Sequence, residues 1–169
     1  MTARGTFYET VNIDDGLIMT SNGWHETKIR VRYKDTDRLG VVYYGNYLTF
    51  FEVGRAEFMR ALECPYSRLE AEGYSLVVAE AFAKYHGNVG YDAMVTVKTT
   101  ISDMRGARMR FDYEVLSEKG RLLVSGYTLH GCINSKSKPS RIPSWVKALV
   151  EEKIGLFGSG AGQDDRRGS

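Results

Sequence analysis

The sequence predicts one α+β domain, with a single long helix lying on one face of an antiparallel sheet. Three observations carry this reading. Residues 25–34 alternate Thr27, Ile29, Val31 and Tyr33 with Lys28, Arg30, Arg32 and Lys34, the period-two pattern of a strand with one buried and one wet face. Residues 46–62 set Tyr47, Phe50, Phe51, Phe58, Met59 and Leu62 against Thr49, Glu52, Arg55, Glu57 and Arg60, a wide apolar helix face suited to a sheet. Strand-like runs then follow from Tyr74 to Ile133, the last three joined by D-M-R-G and S-E-K-G, and turns that short force neighbouring strands to run antiparallel.

Composition narrows the function classes. With 43% hydrophobic residues the chain of 169 residues can bury a core, and 23 basic against 21 acidic side chains leave a formal charge of +2. That balance argues against a general nucleic-acid role, which needs a strongly basic face. Cys64 and Cys132 have neither disulfide-framework nor metal-site spacing, so two small buried thiols in a reducing, cytoplasmic setting are expected. No apolar run reaches the length of a membrane span, and Met1 to Gly5 lacks a signal-peptide apolar core. The domain is expected over 24–155, between an N-terminal extension (1–23) and a Gly-rich disordered tail (156–169).

Taken in order, the extension carries F-Y-E-T-V-N-I and L-I-M-T around Asp14-Asp15-Gly16, the signature of a hairpin. The first core strand covers 25–34. Asn46 opens the long helix as its N-cap. Gly54 costs that helix about 1 kcal/mol against Ala and is accounted for by a close pass over another backbone. Glu52 is expected to pair on the surface with Arg55 or Arg60. Cys64-Pro65 ends the helix, and a short helical piece over 67–73 stops at Gly73. Strands are expected at 74–86, 94–103, 107–116 and 121–133. A Pro-containing segment then leads to a final helix over 144–154. One helix covers only one face of five strands, so the remaining edges and faces invite self-association.

The chemistry concentrates in residues 35–60. Asp35 and Asp37 precede a turn at Gly40, the pair Tyr43 and Tyr44, and the helix start. A helix N-terminus offers unpaired backbone N–H groups and partial positive charge, and an oxyanion developing there would have a carboxylate on its other side. Either acid also reads as a plain turn residue, because Asp bonds its own backbone in turns. His25, His86 and His130 are scattered along strands without metal spacing and read as structural.

The run D-T-D-R-L-G-V-V-Y-Y-G-N-Y followed by an aromatic helix resembles the signature of the 4-hydroxybenzoyl-CoA thioesterase family, and more narrowly the short-chain acyl-CoA thioesterases found with the Tol–Pal system. Ala83-Lys84-Tyr85-His86 to Gly90-Tyr91-Asp92, Ser125-Gly126 to His130, and Lys138-Pro139 to Ile142-Pro143 also look like family stretches. The resemblance spans about residues 25–154. It implies the hot-dog fold, a curved five-stranded antiparallel sheet wrapped around one long central helix. It implies an acyl-CoA thioester hydrolase that uses no cofactor and no metal. The family's catalytic carboxylate falls on Asp37 and its backbone oxyanion donor on Tyr44. Gly40, Val42, Tyr43 and Asn46 are expected to border the substrate. Arg105, Arg108, Lys138 and Arg141 are expected to meet the phosphates of CoA. A homodimer, extending to a homotetramer, is implied by acyl pockets that lie between protomers. Many acyl-CoA members carry His where this chain has Tyr44, so a backbone donor survives the difference and an imidazole role does not. A thioesterase acting on acyl carrier protein or polyketide esters, and a non-catalytic acyl-CoA-binding dimer, are the competing readings.

Overall fold

A computed structural model describes residues 10–13, 17–20 and 22–155. The expected Asp14-Asp15-Gly16 turn and the 156–169 tail lie outside the described residues. The chain forms β1 (Thr10–Ile13), β2 (Leu17–Thr20), β3 (His25–Arg30), a 3-10 turn (Tyr33–Asp35), α1 (Asn46–Ala61), α2 (Tyr66–Ala71), β4 (Tyr74–Tyr85), β5 (Met94–Arg105), β6 (Arg108–Ser117), β7 (Leu122–Asn134) and α3 (Ser144–Ile154). The strands join one antiparallel sheet in the order β1-β2-β3-β5-β6-β7-β4. The five strands β3 to β7 wrap α1, as the hot-dog fold requires. The β1–β2 hairpin extends this sheet beyond β3, through the pairing of Met19 with His25.

The core follows from the two periodicities. Tyr47, Phe50, Phe51, Phe58 and Met59 of α1 are buried against Val95, Val97, Phe111, Tyr113, Val115 and Val124 of the sheet. Phe51 stacks on Tyr113 with ring centroids 4.3 Å apart, and Phe58 meets Phe111 edge-on. Gly54 sits where α1 passes β5. A Cβ there would lie 2.6 Å from Val97 Cγ1 and 2.7 Å from Thr99 Oγ1, so the helix can approach this closely only without a side chain.

Two features differ from the sequence expectation. The first core strand stops at Arg30, and Tyr33, expected on its buried face, is 79% exposed in the 3-10 turn. The cause is Arg32, whose backbone N–H and guanidinium both bind the Asp35 carboxylate and draw the chain out of the sheet. In α1 the N-cap is Gly45 and Asn46 is the first helical residue. The Asn46 side chain instead donates from Nδ2 to the Asp35 carbonyl at 2.9 Å, tying the helix start to the preceding turn.

The connection after β4 sets the remaining geometry. β4 pairs with β7 and takes the sheet edge, while β5 pairs with β3 and β6. Both cysteines are free and buried, and burial pushes the Cys64 thiol up to about 11, out of the reactive range. No helix among the described residues is long and apolar enough to cross a membrane.

Candidate active site

The two acids of the 35–37 segment have separate roles. Asp35 is 4% exposed. Its Oδ2 accepts from the Arg32 N–H (2.9 Å) and Nε (3.0 Å), and its Oδ1 accepts from Arg32 Nη2 (3.0 Å). The Arg32 hydrogen bonds, working against burial, hold the Asp35 carboxyl below the usual carboxylate range. Its carbonyl accepts the Tyr43 N–H (2.9 Å) and the Asn46 side chain. Asp35 is therefore the peg on which the helix start hangs.

A carboxyl whose folded-state pKa is depressed contributes stability above its unfolded pKa and loses it as pH falls through the folded value. Wild type is thus expected to melt above Asp35→Asn at neutral pH, with the gap closing on acidification below about pH 4. Melting curves across that range check this, and a gap independent of pH would contradict it.

Asp37 is half-buried at the head of the next turn. Its N–H donates to the Val41 carbonyl (2.9 Å), and its carbonyl accepts the Gly40 N–H (3.0 Å). Gly40 has a φ of +76°, the left-handed geometry this tight reversal demands. Asp37 Oδ1 accepts the Leu39 N–H at 2.8 Å, and no described residue donates to Oδ2. One carboxylate oxygen is positioned by the turn and the other is open.

The helix start lies on the other side. The Tyr43 amide is used by Asp35, and the amides of Asn46, Tyr47 and Leu48 reach the carbonyls of Tyr43, Tyr44 and Gly45. The amides of Tyr44 and Gly45 find no acceptor among the described residues. The Thr36–Val42 bridge and the bond from Tyr43 N–H to the Asp35 carbonyl run the Asp37 turn alongside the segment that leads into α1. The Tyr43 and Tyr44 rings lie 4.6 Å apart. Tyr85, at the end of β4, donates from its hydroxyl to the Tyr44 carbonyl at 3.0 Å, so the edge strand is fastened to the helix start. The site role of Tyr85 was not read from the sequence; only the family's aromatic connection points to it.

The other expected site residues divide. Gly40 and Tyr43 border the Asp37 turn. Asn46 spends its amide on Asp35 and acts as a brace. Val42 is 3% exposed in the core, so its side chain packs and does not face the gap. Arg105, Arg108, Lys138 and Arg141 are not brought here within one chain. β5 begins beside the Val89–Ala93 segment, where Val42 N–H meets the Val89 carbonyl and Val41 bridges Gly90. It ends at Arg105, about 35 Å further along an extended strand. Arg108 pairs with Arg105 at that far end. The bonds from Ile142 N–H to the Gly106 carbonyl and from Asn134 N–H to the Lys138 carbonyl bring Arg141 and Lys138 to the same end. Cations at the Asp37 end include Lys119 and Arg121, which with Val89, Ala93 and Met94 line a cleft of about 440 Å³.

The expected surface pairing of Glu52 is also absent. Arg60 pairs with Glu57. Arg55 turns inward, donating from Nε to Tyr66 Oη (2.7 Å) and from Nη1 to Tyr113 Oη (3.3 Å). Of the histidines, His25 stacks on Phe58, His86 bonds Ser125, and His130 is buried beside Thr128. Among the described residues no cluster of His, Cys, Asp and Glu could hold a metal ion.

Comparison with known proteins gives a consistent set of relatives. The family model described as the thioesterase-like superfamily matches residues 31–150. The acyl-CoA thioester hydrolase YbgC of Escherichia coli O6:H1 is 33% identical over 125 residues, covering 73% of this chain and 91% of the relative. The acyl-CoA thioesterase YbgC of Haemophilus influenzae is 34% identical over 133 residues, covering 77% and 96%. The crystal structure of DHNA-CoA thioesterase from Staphylococcus aureus superposes with a TM-score of 0.73 at 32% identity, over 80% of this chain and 95% of that one.

Proposed function

The chain belongs to the thioesterase-like superfamily, and on that premise we propose that this thioesterase hydrolyses acyl-CoA esters at the gap between Asp37 and the start of α1. The observation that carries the reading is the pairing of an open Asp37 oxygen with an unsatisfied Tyr44 amide on two elements braced against each other through Asp35. The thioester carbonyl oxygen points at the Tyr44 N–H, where the helix dipole adds to the pull. A preorganised donor of this kind is worth about 3 to 4 kcal/mol at the transition state. Asp37 activates a water as general base, or attacks the carbonyl to give a mixed anhydride that water then opens. Both routes consume one water and release the free acid and the CoA thiol, so no cofactor or metal is required.

The assembly reading is a homodimer built on β4. Among the described residues this twelve-residue strand has one partner, β7, and its other edge is open. Val77, Val78, Phe82 and Tyr85 are exposed along it. A long apolar edge is a template for pairing with a second copy. The four far-end cations would then serve a CoA bound to another protomer in a higher assembly, while Lys119 and Arg121 serve the chain's own site.

The direct test is release of free thiol from acyl-CoA esters, run beside the same acyl groups on acyl carrier protein. Faster turnover of the CoA esters is expected. Turnover confined to carrier esters would move the substrate, and ligand retention without turnover would remove the enzyme reading. Tyr44→Phe is expected to keep the rate within about a factor of three, since the donor is the main chain. A collapse there would put the phenol in the chemistry.

A further inference from the structure

A second feature of α1 lies beyond the hydrolytic groups. Leu48, Glu52 and Arg55 share one face of the helix. With Val78 and Ala81 of β4 and Thr128 of β7 they line a cleft of about 260 Å³. The cleft starts four residues past Tyr44 and reaches eleven past it, about 6 to 16 Å along the axis at the rise of an α-helix. Leu48, Val78 and Ala81 give it apolar walls, and Thr49, Glu52, Arg55 and Thr128 are its polar lining, with Arg55 at the end away from Tyr44.

The end away from Tyr44 is built around Arg55. Nε and Nη1 are held by Tyr66 and Tyr113. The Tyr113 hydroxyl lies 2.7 Å from Thr128 Oγ1, which lies 2.8 Å from His130 Nε2. Along this relay Arg55 can only donate, so Tyr113 accepts from it, while the Tyr113–Thr128 and Thr128–His130 bonds can run in either direction. Burial, with the nearby Arg55 charge adding to it, pushes the His130 imidazole down to about 4, so the relay ends on a neutral ring that brings no counter-charge to Arg55. The relay fixes the guanidinium in place. Its Nη2 edge remains, with no acceptor among the described residues, and Arg55 makes no ion pair with any of them. A half-buried guanidinium without a counter-ion is an unbalanced charge. Glu52, three residues earlier on the helix, lines the cleft but is exposed and makes no hydrogen bond to Arg55.

We propose that Arg55 is a specificity residue, binding through Nη2 a carboxylate at the far end of the acyl chain, so that the preferred substrates are mono-CoA esters of dicarboxylic acids. The proposal rests on the reading that the thioester carbonyl sits at the Tyr44 amide. The apolar walls then carry the methylenes, and the carboxylate supplies the charge that Arg55 lacks. A terminal methyl would leave the guanidinium unpaired, and a hydroxyl would satisfy one donor without balancing the charge.

The test uses CoA esters matched in chain length and ending in methyl, hydroxyl or carboxylate, on wild type, Arg55→Gln, Arg55→Lys and Glu52→Gln. The kcat/KM ratio of carboxylate to methyl esters is the readout. Wild type is expected to favour the carboxylate by about tenfold or more, the scale of a charge-assisted hydrogen bond. Arg55→Gln, which keeps donors for Tyr66, is expected to lose the preference, and Arg55→Lys to keep part of it. Glu52→Gln is expected to increase it by removing a like charge from the cleft. A Glu52→Gln variant that instead loses selectivity for the hydroxyl ester would assign the pair to a hydroxyl group and overturn the proposal. Equal ratios in wild type and Arg55→Gln, with only the melting temperature altered, would make Arg55 a structural brace and overturn it too, while Asp37-dependent turnover of every ester leaves the hydrolytic reading intact. If no ester is turned over, calorimetry of the free dicarboxylate and monocarboxylate of the same length decides. Equal binding to wild type, or binding that Arg55→Gln leaves unchanged, rejects the site.

Discussion

Replacing Asp37 by Asn is expected to leave the fold intact and to lower kcat by at least two orders of magnitude, the lower end of the range for a general base at about 10² to 10⁴. The fold survives because the turn needs only Oδ1. That atom accepts the Leu39 N–H, and an Asn carbonyl oxygen does the same. The Asp37 backbone bonds to Val41 and Gly40 do not involve the side chain. What disappears is the open, negatively charged oxygen, the only part that can take a proton from water or attack a carbonyl. Steady-state release of CoA thiol together with a melting curve checks both halves. A variant of normal stability and near-normal kcat would remove Asp37 from the chemistry. Asp35→Asn provides the contrast. Its carboxylate is spent on Arg32, so its loss is expected to appear first in stability and only then, through a loosened helix start, in rate.

The division between the two acids marks the limit of what the sequence made legible. Strand and helix positions followed from periodicities of two and 3.6, and α3 begins and ends at the expected residues. The family stretch is what put forward Asp37 and Tyr44, the two groups of the proposed mechanism. Local pattern cannot state which partners a side chain finds through space. Tyr33 fits the alternation of the first strand, yet Arg32 binds Asp35 and turns the chain away before that position is reached. Arg55 stands three residues after Glu52, a spacing that suggests a surface pair, but Tyr66 and Tyr113 reach it first. The cations of the 105–141 region are close to the family stretches in sequence order, and the length of β5 carries them to the other end of the sheet. Strand order was hidden for the same reason, since nothing in β4 itself says that β7 is its partner.

Gly126 shows how tightly that edge pairing is drawn, and Gly126→Ala is expected to destabilise the protein by about 3 kcal/mol, the upper part of the overpacking range. The glycine lies in β7 opposite Ala83 of β4 and Tyr113 of β6. A Cβ there would fall 2.2 Å from the Phe82 carbonyl oxygen and 2.8 Å from the Phe51 ring. A ring can shift by a few tenths of an ångström. A carbonyl held in a strand ladder moves only if the strand moves. Phe51 has little freedom to give, since it is fully buried and stacked on Tyr113. The methyl group must therefore push β4 away from β7. The displaced segment leads directly to Tyr85, whose hydroxyl holds the Tyr44 carbonyl. Loss of stability and loss of rate are accordingly expected together, with hydrogen exchange rising first along Val78–Tyr85. The experiment is a denaturant titration with amide exchange on the same variant. Unchanged stability, or fast exchange spread evenly over the sheet, would mean that β7 absorbs the methyl group and that the edge strand is not what positions the helix start.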